Sequence, residues 1–171
     1  MPGPLYHSAA TVLQYLLVSK GHGSLPIDGE GWPTYVGNEP DGPDEVITLY
    51  SRNIYHRGKD HRGEVSEYYG VDIRVRSCDY ALGDYKILSI KNFLDKVARV
   101  QVVVPGLVSV GEIIPEASYQ VNNFSRANTS RGTQQYLHLG KERQKNSGTD
   151  IVFVSQREIF TFSGKVNLRM L

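Results

Sequence analysis

A single cysteine and five histidines raise the first chemical question, because a thiolate beside an imidazole base is a nucleophile. Cys78 ends the alternating run Val71-Asp72-Ile73-Arg74-Val75-Arg76-Ser77, a position where a cysteine is expected to be a small buried hydrophobe. No histidine stands at a spacing that marks it as the base. His56 and His61, with Asp60 and Glu64 between and beside them, bring metal-ligating types together. Their i, i+5 spacing in a charged, glycine-punctuated segment aims the rings at no common point, and neither His-x3-His nor a cysteine pair is present. A solvated loop is expected there.

Gly21-His22-Gly23 has the look of a phosphate cradle, but such loops precede a helix, whose N-terminal amides attract the anion. This one follows a helical pattern, so a C-cap is expected instead. Glu39, Asp41, Asp44 and Glu45 form an acidic cluster, and Pro43-Asp44 with Asp84-Tyr85-Lys86 mimics a nuclease signature. That chemistry needs the carboxylate and lysine on one strand face around a metal. Asp84 and Lys86 fall on a predicted helix, pointing about 200° apart. The residues therefore predict no catalytic, cofactor or metal site, and no enzyme.

Two basic segments remain. Residues 52–63 carry Arg52, Arg57, Lys59 and Arg62 against Asp60, a net +3. Residues 122–148 carry Arg126, Arg131, Lys141, Arg143 and Lys145 against Glu142, a net +4. Loose positive charge is enough for weak phosphate contact. Solvated loops that keep strand edges from sticking together are the simpler expectation.

The elements behind these residues follow from periodicity. Leu5, Ala9, Val12, Leu13, Leu16 and Leu17 form the stripe of an amphipathic helix over about 5–20. Residues 21–45 are rich in turn formers, with Thr34-Tyr35-Val36 a short strand; Glu45–Tyr50 is the next, and 52–64 a loop. After the Val71–Ser77 strand, Asp79 is positioned to cap a helix from Tyr80 to about Ala98. Its buried stripe is Ile87, Ile90, Leu94 and Val97, flanked by Leu82, Tyr85 and Phe93. Val100–Val104 and Ile113–Val121 read as strands, the second weakened by Pro115; Asp150–Val154 reads as another. From Phe160, apolar residues alternate through Phe162, Val166, Leu168 and Met170, with Gly164 keeping the period, which predicts a strand with a dry and a wet face. The expected fold is one α+β domain over 1–171. It has a mixed, mainly antiparallel sheet, an N-terminal and a central helix packed on it, and a long inserted loop at about 122–148.

Length and composition agree. The 171 residues suffice for one core, and 40% hydrophobic with 22% charged residues is ordinary for a globular chain. A formal net charge of +1 argues against a dedicated nucleic-acid binder. One cysteine permits no internal disulfide and fits a reducing compartment. The apolar runs are too short to cross a bilayer, and Met1-Pro2-Gly3-Pro4 lacks a basic signal-peptide start. Synthesis and use in a cytoplasm, with no membrane partner, are expected.

Tyr68-Tyr69-Gly70-Val71-Asp72-Ile73-Arg74-Val75-Arg76-Ser77-Cys78-Asp79-Tyr80-Ala81, with the helix to Leu94-Asp95, resembles the small minor capsid or tail terminator (tail completion) proteins of long-tailed bacteriophages. Trp32-Pro33-Thr34-Tyr35-Val36-Gly37-Asn38-Glu39-Pro40-Asp41 looks like their N-terminal strand and turn. The resemblance covers about 5–121 and 157–170, while 122–156 departs from that family's pattern. It implies a structural virion protein at the head–tail interface, assembled in the host cytoplasm. The implied assembly is a ring, usually a hexamer, that caps the tail tube and meets the head connector, with DNA crossing the lumen unread. The alternatives are another head–tail connector or completion component, or a small nucleic-acid-binding or nuclease domain. A head-to-tail ring needs two unlike surfaces per subunit. The residues expected at its interfaces are Arg57, Arg62, Arg126, Arg131, Lys141 and Arg143 on the two loops, with Arg74 and Arg76 on the polar face of the sheet.

Overall fold

The structure, a computed structural model, describes residues 5–28, 31–59, 65–143 and 150–171, with side chains described outside 53–59, 65–67, 109, 126–131, 133–143 and 150–156. Helix α1 (Ala9–Ser19) begins at Ala9 and not at Leu5, because the Ser8 hydroxyl accepts from the Thr11 amide at 3.2 Å and caps it. Its end is a Schellman turn. The Gly21 amide donates to Val18 O at 3.2 Å and the His22 amide to Leu17 O at 2.9 Å, with Gly21 at φ 79°. The glycine pair thus closes a helix, as its position predicts. Helix α2 (Tyr80–Asp95) starts at Asp79, whose carboxylate accepts from the amides of Ala81 at 2.9 Å and Leu82 at 3.4 Å.

The strands are β1 (Thr34–Val36), β2 (Val46–Lys59), β3 (Val65–Ser77), β4 (Val100–Val104), β5 (Leu107–Ser109), β6 (Glu112–Ile114), β7 (Ala117–Arg143) and β8 (Asp150–Met170). Six form one sheet in the order β1-β2-β3-β8-β7-β4, antiparallel throughout except for the β1–β2 pair, and β5–β6 form a separate hairpin. Both helices pack on one face. There Leu13, Leu16, Leu17, Ile90 and Leu94 meet Ile47, Leu49, Ile73, Val75, Phe160, Phe162 and Val166, all buried. The fold is α+β, with a mostly antiparallel sheet carrying two helices. Phe160, Phe162, Gly164, Val166 and Leu168 are buried on the core face, as their alternation predicts.

In the two segments expected as loops, the described residues 52–59 and 122–143 are strand. β2 and β3 pair from Val46↔Arg76 outward to Lys59↔Val65, and β7 and β8 from Tyr119↔Met170 outward to Arg143↔Asp150. Their polar composition misleads because a two-stranded ladder pairs its inward amides and carbonyls and leaves the outward ones to water, so neither face need be buried. Register shifts between Val121/Asn123, Arg126/Asn128 and Leu139/Arg143 interrupt the long hairpin, and such bulges add twist. Pro115 splits the expected 113–121 strand, so Ile113 turns back into β6 and the sheet resumes at Ala117. α2 stops at Asp95, short of Ala98, although Val97 stays buried beyond it.

Candidate interaction surfaces

The second face of the sheet was expected to be wet, and one end of it is not. Gly37 takes φ 78° and donates to Leu49 O at 2.9 Å, which turns residues 38–44 back across the strands. Three arginines hold this strap down. Arg76 donates to the carbonyls of Pro40 (2.7 Å) and Pro43 and lies 3.7 Å from the Glu39 carboxylate. Arg74 lies 3.3 Å from the same carboxylate. Arg157 donates to Asp41 O at 2.8 Å and pairs with Asp44 at 3.1 Å. Register explains the convergence, because Arg74 opposes Thr161 and Arg76 opposes Ile159, which puts all three guanidiniums on one face.

Arg76, expected at a subunit interface, is therefore not available to a neighbour. It is 2% exposed, and burial followed by the nearby Arg157 charge lowers its pKa. Arg74 is partly exposed but committed to Glu39. Arg57, Lys141 and Arg143 lie on the outer parts of β2 and β7, while Arg126 and Arg131 lie on β7 opposite Gly164 and Phe160, so all five stand on strands instead of loops. Arg62 lies outside the described residues. The open end of the polar face carries Lys165, Asn167 and Arg169; Asn122 donates to Asn167 at 2.7 Å and Arg169 to Gln120 at 2.9 Å.

The candidates for chemistry are dispersed. Cys78 is exposed, against expectation, and its thiol pKa is raised by partial burial and then by Asp44, the reverse of what a nucleophile needs. Asp84 and Lys86 do lie on α2, and the Lys86 ammonium sits 5.4 Å from the Trp32 ring centre. His56 lies on β2, and His61 lies outside the described residues. Among the described residues no three His, Cys, Asp or Glu side chains gather as a metal cluster would, and no helix is long and apolar enough to cross a membrane. An open depression of about 290 Å³ lies at the start of α1, lined in part by His7, Ser8, Arg52 and Tyr69. Two of its polar groups are engaged: Arg52 pairs with Asp72 at 2.6 Å, and the His7 Nδ1 lies 2.7 Å from the Tyr119 hydroxyl.

Two surfaces escaped the sequence reading. The β5–β6 hairpin exposes Leu107, Val108, Val110 and Ile113. Its two-residue turn has positive φ at Val110 (49°) and Gly111 (78°), as a primed turn requires. Asn or Gly fits the first of those positions, whereas a β-branched residue there costs about 1–3 kcal/mol. On α2, Leu82 and Tyr85 do not flank the core but face outward with Leu88. The signal was present in the helical period, since Ala81, Tyr85 and Leu88 make a second apolar stripe across the helix from that of Ile87, Ile90 and Leu94. Compared with known protein families and with curated proteins, the chain matches none.

Proposed function

We propose that this chain is a structural protein of a long-tailed phage. It forms a ring at the head-proximal end of the tail tube, stops tube growth and joins the tail to the head connector. The ring converts no substrate. The tube protein and the connector are its partners, and genomic DNA passes through its lumen without being read. The Tyr68–Ala81 segment with the helix to Asp95, and the Trp32–Asp41 segment, carry the family resemblance. One structural observation supports an assembly role: the sheet ends in two unlike edges, the three-residue parallel strand β1, bridged by Ser24, on one side and β4 on the other. Two long hairpins also extend beyond the part of the sheet that the helices cover. Unlike edges suit a head-to-tail contact, which closes into a ring when the rotation between neighbours permits.

Deleting the gene and imaging the particles tests this reading. The expected result is tubes of uncontrolled length with unattached heads. Normal particles would remove the role.

A further inference from the structure

Most large apolar side chains exposed on the described surface fall in two places. One is the β5–β6 hairpin with the end of β4: Val103 (54% exposed), Leu107, Val108, Val110 (100%) and Ile113 (75%). The other is the outward stripe of α2, with Leu82, Tyr85 (70%) and Leu88. Scattered surface hydrophobics need no explanation, but grouped ones mark contacts.

Val110 is the most telling of these residues. It stands at a strained turn position and touches no core, so within one subunit the strain gains nothing. A hairpin that only had to turn would carry asparagine or glycine there. The strain makes sense when the valine is buried by something outside the subunit.

The charges identify that something. Residues 105–116 carry Glu112 and Glu116 and no cation, a net −2. Residues 79–99, from the cap of α2 to just past its end, carry Lys86, Lys91, Lys96 and Arg99 against Asp79, Asp84 and Asp95, a net +1. Knob and stripe are thus each apolar, with opposite charge beside them. They are also separate surfaces, because α2 leads into one end of β4 and the hairpin leaves the other.

We propose that the β5–β6 hairpin of one copy docks on the outward face of α2 of the next. Because the two surfaces differ, the contact is head-to-tail, and a growing chain keeps one free surface of each kind, at its two ends, until closure. Closure into a ring rests on the reading given under Proposed function, whereas the pairwise contact is measured without it.

The experiment follows the mass of the full chain against concentration by sedimentation, for wild type and two variants. One variant carries Val108→Lys and Val110→Asn; the other carries Tyr85→Lys and Leu88→Glu. All four positions are exposed, and a thermal melt checks that each variant folds. Wild type should self-associate, and each variant should associate at least about ten-fold more weakly. An equimolar mixture of the two variants should form one-to-one pairs and nothing larger, since it retains one intact knob and one intact stripe. A wild type that stays a single subunit would overturn the contact, and so would its recruitment by lipid vesicles without self-association. Variants that associate like wild type, or a mixture that forms no pairs, would overturn it too. Rings that persist in both variants would remove this contact and leave the ring, whereas normal particles after gene deletion would remove the ring and leave the contact.

Discussion

The ring of Phe124 lies across Gly164: a Cβ on Gly164 would stand 2.4 Å from Phe124 Cζ and 2.6 Å from the Ser125 carbonyl oxygen. The glycine that keeps the period of the last strand is therefore there for space. It lets β7 and the Phe124 ring close over β8, where Phe124 meets Phe162 edge-on at 6.0 Å.

Gly164→Ala is expected to destabilise the fold by about 1–3 kcal/mol, the usual range for overpacking. Urea unfolding measures it. Adding Phe124→Leu should recover only part of the loss, because the backbone oxygen of Ser125 stays in place. Full recovery would mean that the ring alone makes the site tight.

Arg76→Ala should destabilise by about 3 kcal/mol, as removing one member of a buried ion pair does. It strands the Pro40 and Pro43 carbonyls under the strap and leaves the Glu39 carboxylate to Arg74 alone. Hydrogen exchange checks the mechanism, with faster exchange expected at the Gly37 amide, which holds the strap's hinge. A loss of stability with unchanged exchange at Gly37 would place the effect elsewhere.

Stability should fall with acid below about pH 6.5, the ordinary histidine value. Burial lowers the pKa of His7, partly offset by the Pro105 carbonyl, and that of His22, where the Lys86 charge adds to it. With folded values lowered, the unfolded chain takes up protons first as pH drops. The contribution is fully present above the ordinary value and lost as pH falls through the folded ones. His7 has a local cause as well. The Tyr119 hydroxyl accepts from the His7 amide at 3.0 Å and can donate to a neutral Nδ1 at 2.7 Å, and protonation removes that acceptor. Thermal melts from pH 8 to pH 5 should show a smaller drop for His7→Gln, and an unchanged drop would exclude this histidine.

Cys78 should react slowly for an exposed thiol. Partial burial and the Asp44 carboxylate raise its pKa, so less thiolate is present at neutral pH than in a free cysteine. Alkylation by iodoacetamide at pH 7.5 should be slower than that of a small free thiol. Asp44→Asn should speed it, and a rate above that of the free thiol would contradict the assignment.

Trimming the long hairpin separates folding from joining. Gln135 opposes Gln156, so removing 136–155 and closing the gap with Asn-Gly leaves the paired base of β7 and β8 intact. The trimmed chain should fold with a near-normal melt. Under the proposed ring role it should fail to join heads to tails in phage, and normal joining would free the hairpin tip from that role.

What the sequence determined alone was local and periodic. The stripes of Val12–Leu17 and Ile87–Leu94, the Asp79 cap, the Gly21 stop and the alternation from Phe160 each follow from contacts within a few residues along the chain. Tertiary structure alone decided the rest. Residues 52–59 and 122–143 carry no apolar period and become strands because partners register against them. Arg74, Arg76 and Arg157 look like surface charge until the strap from 38 to 44 folds onto them. Leu82 and Tyr85 read as flanks of the buried stripe until the packed sheet, which takes Ile87, Ile90 and Leu94, leaves them outside. Periodicity records which residues share a face; what that face meets depends on chain segments brought there by pairing and burial, which no local pattern encodes.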